Sequence, residues 1–526
     1  MDDGSRNLVS QKIKSKEQLA QILGSRPRDK KVIICHGTFD VVHPGHVRHL
    51  LYAKSKADIL VASLTCDQHV TKAEMRPYVP EDLRAINLAA FEMVDHVIID
   101  ENATPIETIK FLEPDYFAKG YEYVAGNIPP KTQEEMDALD TYGGEMIFTP
   151  GDVVYSSSRF IETSPPNIST EKLMLLMQAE GFSFDGLRSA LADFSGMKVH
   201  IVGDTIVDTF TRCSMIGGMT KTPTMSVRYE DKEDYVGGAG IVAKHLCAAG
   251  ADVTFSTVLG DDALAEFVLD DLEAAGVDVQ PIIDPTRPTT NKNAFVASDY
   301  RLLKLDTLDN RSISGKIVRQ LQEQIAEAPT DVVVFSDFRH GIFNKHTIGD
   351  LIAAIPESAF RVADSQVASR WGNITEFKGF DLITPNEREA RFALGDQDSV
   401  VRPLATDLFS AAQCKTLILK LGERGILTYR TRPDGDPRTI ISIDSFAQNV
   451  ADAVGAGDAL LAYASLAMAK TGNEALASVL GCIAAGLECE YDGNVTVKPQ
   501  AIYARLDQLE AESRYSVQAA LTPPIS

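Results

Sequence analysis

Short apolar runs separated by stretches of helical spacing recur along the chain, and this rhythm limits the fold more than any other feature. In the first part, VIIC (32–35), DILVASLT (58–65), DHVIID (95–100), DYFAKG (115–120) and EMIFTPG (145–151) read as strands. Parallel neighbours need a crossover, usually a helix, so the alternation predicts a parallel sheet with helices on both faces. The rhythm restarts at KVHIVGD (198–204) and continues through VTFSTVLG, DVVVFSD, FRVADS, DLITPN and TLILKLG, the last ending at Gly422. At 526 residues the chain is too long for one ordinary domain. The expected division is an α/β domain over 1–162, a linker and two short helices over 163–196, and a second α/β domain over 197–526. The polar, proline-bearing stretch 163–170 is the linker. Two segments, TPTMSVRYED (222–231) and NAFVASDYRLLKLD (293–306), alternate with period two instead. They are expected as antiparallel strands set apart from the main sheet, as in a lid.

The formal net charge of -23 disfavours non-specific binding to nucleic acid or to an acidic membrane. It leaves nucleotide substrates open, because phosphate is bound by local groups such as helix N-termini. The longest apolar stretch, 459–469, is shorter than the roughly 20 residues a bilayer requires. The polar N-terminus has no apolar signal region. The seven cysteines are scattered without a C-x-x-C pair. Reduced thiols in a cytoplasmic protein are therefore expected.

Two stretches carry chemistry. In GTFDVVHPGH (37–46) a strand ends at a glycine and a helix must begin near Pro44, which suits a first helical position. His43 and His46 then sit at the positive end of a helix, where an imidazole N–H can donate to phosphate. Asp40 is expected in a turn or a cap. The second stretch, DAVGAGDALLAYASLAMA, sets small residues before a long helix starting near Gly457. Gly455, Ala456 and Gly457 would let an anion approach the backbone closely, and the Asp458 carboxylate could take the proton of an attacking hydroxyl.

GTFDVVHPGH resembles the cytidylyltransferase-like nucleotidyltransferases, together with RPYVPEDLRA (76–85) and SSSRFI (156–161), over roughly 31–161. The resemblance implies a Rossmann-like doubly wound domain in which His43 and His46 stabilise the transition state at the α-phosphorus. Gly37, Thr38, Phe39, Lys119 and Gly120 would lie on the nucleotide side, and Ser157 and Ser158 would hold phosphate oxygens. Lys54, Lys72 or Arg76 would neutralise phosphate, though Lys54 and Lys72 read equally well as solvated surface charges.

From about 198 to 506 the chain resembles the ribokinase-like sugar kinases, an α/β fold with a small β-lid. The likeness rests on VGDTIVD (202–208), GGAGIVAKHL (237–246), TPNEREA (384–390), KLGERGI (420–426) and the GAGD turn. It implies Asp458 as base, with Asp204, Asp208, Gly237 and Gly238 at the sugar. Lys420 and Gly422 would lie near the nucleotide, and Asn386 and Glu389 at Mg2+. Asn386 also reads as a helix cap, and Glu389 as an exposed helix acid. Two motifs depart from the family: Gly240 and Ile241 replace its usual Ala-Asn, and VADSQ (362–366) lacks its Asp-Pro-Lys. The first departure bears on the sugar and leaves phosphoryl transfer untouched.

Taken together, the chain resembles the bacterial bifunctional heptose-7-phosphate kinase/heptose-1-phosphate adenylyltransferases with the domain order reversed. This implies a sugar phosphate and ATP, or CTP, as substrates, Mg2+, a monovalent cation beside the kinase site, and a homodimer. A phosphatase on another chain would act between the two steps.

Overall fold

A computed structural model describes residues 9–70, 77–120, 130–149, 169–217, 225–298, 300–366, 374–431, 439–491, 493 and 495–519. The chain forms two compact units, Met1–Leu175 with Glu512–Ser526, and Leu176–Ala511. Most of the expected linker lies outside the described residues, and the helix Ser169–Glu180 begins at its end.

The first unit contains β1 (Val32–Gly37), β2 (Ile59–Thr65), β3 (His96–Asp100), β4 (Tyr116–Gly120) and β5 (Glu145–Thr149) in the order β3-β2-β1-β4-β5, all parallel. Alternate residues of β1 face opposite cores. Ile33 and Cys35 pack with Leu50 and Leu88, while Val32 and Ile34 pack with Leu19 and Ile109. A strand buried on both faces must be apolar throughout, which explains why VIIC lacks polar alternation. The order reverses between β1 and β4, and their carboxyl ends flank the crevice where such sheets bind ligands.

The second unit is built on a nine-stranded sheet in the order β10-β9-β6-β13-β14-β15-β16-β17-β18. These are β6 (Lys198–Gly203), β9 (Asp252–Leu259), β10 (Asp278–Ile283), β13 (Val332–Asp337), β14 (Phe360–Ser365), β15 (Leu382–Ile383), β16 (Thr416–Lys420), β17 (Ile426–Arg430) and β18 (Ile440–Ile443). Pairing is parallel from β10 through β16, and β17 and β18 close the sheet antiparallel. The helices Ala456–Thr471 and Glu474–Glu488 are buried over most of their length. That accounts for the apolar stretch 459–469 as an interior helix. Gly481 permits this packing, because a Cβ there would stand 3.0 Å from the Ala464 Cβ.

A separate four-stranded sheet, in the order β12-β11-β7-β8, is the lid. It comprises β7 (Thr205–Gly217), β8 (Ser226–Gly238), β11 (Asn291–Ala297) and β12 (Tyr300–Thr307). The run 293–306, expected as one strand, is a hairpin that reverses near Ser298, whose φ is +54°. β7 was not anticipated, because the run from Val202 to Asp208 reads as continuous, whereas the strand breaks at Asp204.

Candidate active sites

In the first unit the turn after β1 is fixed by buried polar groups. The Asp40 carboxylate accepts the N–H of Tyr78 at 2.9 Å and of Val79 at 2.7 Å. Arg84, fully buried, donates to the carbonyls of Thr38, Thr65 and Val79 and to the Asp67 carboxylate. One guanidinium thus ties together the chain after β1, the chain after β2 and the approach to the helix Glu81–Ala89. Its planar fork of donors suits several acceptors at once. Phe39 takes a left-handed backbone, with φ +49°, within this clamp.

The helix Pro44–Lys54 starts where the sequence places it. His43 is its N-cap, and its Nδ1 accepts the Gly45 N–H at 3.1 Å. The His46 Nδ1 accepts the His43 N–H at 3.4 Å. With both Nδ1 atoms accepting, a neutral ring carries its proton on Nε2, the donor nitrogen. The ring centroids are 4.0 Å apart, and Phe39 lies against His46. A Cβ on Gly45 would stand 2.9 Å from the His43 ring, so the residue between Pro44 and His46 must be glycine. Burial, aided by Arg48, holds the His43 pKa below the usual imidazole value, which keeps the ring neutral.

Gly37 and Gly120 end β1 and β4 at the crevice. Lys119, one residue earlier, is ion-paired with Glu135. Lys54 is a correction. It closes the helix at the end opposite the histidines, about 15 Å away at 1.5 Å per residue. There its ammonium binds the Asp95 carboxylate at 2.5 Å, at the amino edge of β3. The structure does not bring it to the histidines. Lys72, Arg76, Ser157 and Ser158 lie outside the described residues.

In the second unit a cavity of about 580 Å³ lies between the lid and the carboxyl ends of the strands. Gly455, with φ +92°, turns the chain into the helix Ala456–Thr471, and Asp458 is the third residue of that helix. Gly457 is small for a reason: a Cβ there would be 3.2 Å from the Lys420 ammonium. Lys420, at the end of β16, binds both oxygens of Asp364, at 3.0 and 3.2 Å, and Asp364 also accepts from Thr384. Burial alone would lower the Lys420 pKa, but Asp364 and Glu389 outweigh it and the net shift is upward. The Oδ1 of Asp458 is buried without a hydrogen-bond partner among the described residues. Burial, then Asp364, pushes this carboxyl up to about 8 against the pull of Lys420.

Asn386 and Glu389 form a capping box on the helix Glu387–Leu394. The Glu389 carboxylate accepts the Asn386 backbone N–H and side-chain amide, both at 2.7 Å. Burial pushes Glu389 up to about 7. Both residues line the cavity, so the cap and the site coincide.

Asp208, Gly238 and Gly422 also line the cavity, whereas Asp204 and Gly237 do not. Asp204 is engaged elsewhere. Its buried carboxylate accepts the N–H groups of Phe338, His340 and Ile342, so it holds the turn after β13. Gly237 pairs with Ile206 inside the lid.

Asp364 lies in VADSQ, but its pairing with Lys420 joins two different strands and no local spacing marks it. Glu488 is likewise unmarked by any motif. This side chain is fully buried, and both its carboxylate oxygens lack hydrogen-bond partners among the described residues. Burial, then Asp458 and Asp452, push it up to about 8. No helix among the described residues is long and apolar enough to cross a membrane.

This geometry, with a β-lid over a cavity and an aspartate at a glycine-led helix N-terminus, is that of a carbohydrate kinase. Residues 198–500 match the model of the pfkB family carbohydrate kinases, and the chain belongs to that family. Residues 34–172 match the cytidylyltransferase-like model. The bifunctional protein HldE of Rhodopseudomonas palustris is 28% identical over 334 residues, 62% of this chain and 66% of that protein. HldE of Geobacter metallireducens is 28% identical over 338 residues, with the same shares covered. The matched part is thus just under two thirds of each relative. Among solved structures, Escherichia coli phosphofructokinase-2 matches over 59% of this chain and 99% of its own, at 19% identity and a TM-score of 0.49.

Proposed function

We propose that the chain is a bifunctional enzyme of nucleotide-sugar synthesis. In the second unit ATP phosphorylates a hydroxyl of a sugar or sugar phosphate, with heptose 7-phosphate at O1 as the leading acceptor. In the first unit a sugar 1-phosphate takes a nucleotidyl group from ATP or CTP. The observation that carries the kinase reading is the orphaned Asp458 oxygen at a helix N-terminus that faces Lys420 and Gly457.

Asp458 accepts the acceptor's hydroxyl proton while that oxygen attacks the γ-phosphorus, and the bond from the γ-phosphorus to the bridging oxygen breaks to release ADP. The first N–H groups of the helix and the Lys420 ammonium take up charge on the transferring phosphoryl group. No group of three metal-ligating side chains is gathered among the described residues; Asn386 and Glu389 on the cavity wall would hold Mg2+ that arrives with ATP, and it would neutralise charge between the phosphates. The buried Glu488 beside Asp452 fits a monovalent cation next to the helix N-terminus.

In the first unit a phosphate oxygen of the sugar 1-phosphate attacks the α-phosphorus, and pyrophosphate leaves. The Nε2–H groups of His43 and His46 donate to the charge that develops. The nucleophile is already ionised, so no base is required.

Leu303 and Leu305 on β12, Met215 and Ile216 on β7 and Tyr229 on β8 are exposed on the lid. An apolar surface of this kind supports a homodimer. A cytoplasmic enzyme fits the same reading, with the intervening phosphatase on another chain.

A second reading, a different sugar or a polyol phosphate, is favoured by one observation. Ile241 is 1% exposed in the core, and a Cβ on Gly240 would meet the Val236 side chain at 2.5 Å. The amide usual in the family is thus replaced by packing. A mass-spectrometric screen of sugar and polyol phosphates with the purified chain, ATP, CTP and Mg2+ separates the readings. The first predicts a heptose bisphosphate and, from heptose 1-phosphate, a nucleoside diphosphate heptose. Products from other acceptors alone would establish the second.

A further inference from the structure

The segment 444–454, which leads from β18 into the glycine turn, is held by groups that phosphoryl transfer itself does not use. Its residues Ser445, Ala447, Val450 and Val454 line the cavity of the second unit, together with Ile426 and with Ala485 of the helix Glu474–Glu488. Backbone contacts fasten the segment to the end of that helix. A Cβ on Gly486 would stand 2.7 Å from the Ala447 nitrogen, so the two chains touch there. The Cys489 carbonyl accepts the N–H groups of Ala451, at 2.8 Å, and Asp452, at 3.3 Å. Side chains complete the fastening. The Glu490 carboxylate accepts the Gln448 N–H at 2.9 Å. Arg505, on the helix Pro499–Ala519, donates to the Phe446 carbonyl and to both oxygens of Glu490, at 2.8 and 3.0 Å. Arg505 is 6% exposed, and removing one partner of so buried a pair leaves the other charge uncompensated.

What this fastening serves follows from what the cavity must hold. On the kinase reading, the glycine turn 455–457 and Lys420 receive the phosphates of ATP, and the acceptor reaches Asp458 beneath the lid. The part walled by the segment 444–454 is left for the nucleoside. Its surface suits one: Val450 and Val454 line the cavity yet are 57% and 51% exposed, apolar side chains that a flat base would cover. Resting on the kinase reading above, we infer that the Glu490–Arg505 pair is a latch that sets this segment against the donor nucleotide, with Arg505 as a positioning residue for ATP. Neither member of the pair lines the cavity. Both act through the backbone, Arg505 at the Phe446 carbonyl and Glu490 at the Gln448 N–H.

The test uses the full chain as wild type, Arg505→Met, Arg505→Lys and Glu490→Gln. ADP release is followed with a panel of sugars and sugar phosphates, and ATP binding is measured separately by calorimetry without acceptor. Arg505→Met is expected to weaken ATP binding and to raise KM for ATP by about 10-fold, the scale of losing one charged hydrogen bond. KM for the acceptor should hold. Arg505→Lys keeps a charged donor and should recover part of the affinity, and Glu490→Gln, which still accepts from Gln448 but loses the ion pair, should fall between wild type and Arg505→Met. A residue that only supports the fold would change thermal stability and kcat while leaving KM for ATP and the binding constant alone, and that result overturns the latch. Equal rises in KM for ATP and for the acceptor overturn it as well. Should Arg505→Met fail to fold, the two conservative variants decide, and wild-type ATP affinity in both counts against the latch. If ATP binding weakens in the variants while wild type releases no ADP with any acceptor, the kinase reading fails and the latch stands. A wild type that binds no ATP defeats both.

Discussion

At the N-terminus of the helix Pro44–Lys54 the ionisable groups are imidazoles; at the N-terminus of the helix Ala456–Thr471 they are carboxyls grouped around one ammonium. Both helices follow a glycine-bearing turn and turn their positive ends toward the place a phosphate would occupy. On the proposed function, the difference follows from the nucleophile. A sugar 1-phosphate arrives ionised, so its site needs donors for developing charge and no proton acceptor. A hydroxyl arrives protonated, so its site needs a carboxylate. Similar helix starts thus serve two chemistries, and the residues at the helix start divide them.

The largest effect is expected from Asp458→Asn. The side chain keeps its size and the helix start keeps its glycines, but the proton acceptor is gone. ADP release should fall by roughly 10²–10⁴-fold, about 3–5 kcal/mol of barrier, with ATP affinity close to wild type by calorimetry. Surviving ADP release would remove the carboxyl from the role of base and with it the contrast between the sites.

His46→Ala should lower pyrophosphate release by about 100-fold, the usual cost of one positioned transition-state donor. His46→Gln retains an N–H donor and should recover part of the loss. An equal loss in both variants would mean that the ring serves packing against Phe39 and the His43 cap.

The two activities should also differ in pH dependence. Burial and Asp364 set Asp458 to about 8, so its active, ionised fraction grows with pH. The kcat/KM for ADP release should climb by up to about tenfold per unit below pH 8 and then level off. Pyrophosphate release should stay flat from neutral pH upward, because the lowered pKa of His43 already keeps that ring neutral. The same shift has a stability consequence. A carboxyl raised in the folded state binds its proton more tightly there, so its contribution is lost as pH rises from the unfolded value, near 4, through about 8. Asp458→Asn should therefore gain thermal stability relative to wild type on going from pH 5 to pH 9. Parallel melting curves would refute this.

The smallest effect is expected from Lys54→Met. Its half-exposed pair with Asp95 lies at the far end of the histidine helix, so stability should change by about 1 kcal/mol or less. Pyrophosphate release should keep its wild-type rate. A large loss would return Lys54 to the phosphate site.

These contrasts show what a linear sequence can reveal. His43, His46 and Asp458 were legible because each lies within a few residues of a glycine or proline that starts its own helix. Alternation along the chain likewise exposed the parallel sheets. Lys54 was misjudged because only the helix length, 11 residues, reveals that it lies at the wrong end. The structural role of Asp204 is not legible in the sequence, because its partners, the N–H groups of Phe338, His340 and Ile342, lie more than 130 residues away. The Asp364–Lys420 pair and the Arg84 clamp are likewise long-range, and no local spacing announces them. The hairpin at Ser298 was hidden because its two strands keep one apparent period across a short reversal.

The most direct measurement follows ADP and pyrophosphate release on the same preparations of wild type, His46→Ala and Asp458→Asn, with a sugar phosphate and its 1-phosphate supplied separately. With two independent sites, His46→Ala loses pyrophosphate release and keeps ADP release, and Asp458→Asn does the reverse. Loss of both activities in either variant, with the fold intact by circular dichroism, would contradict two separate chemistries in one chain.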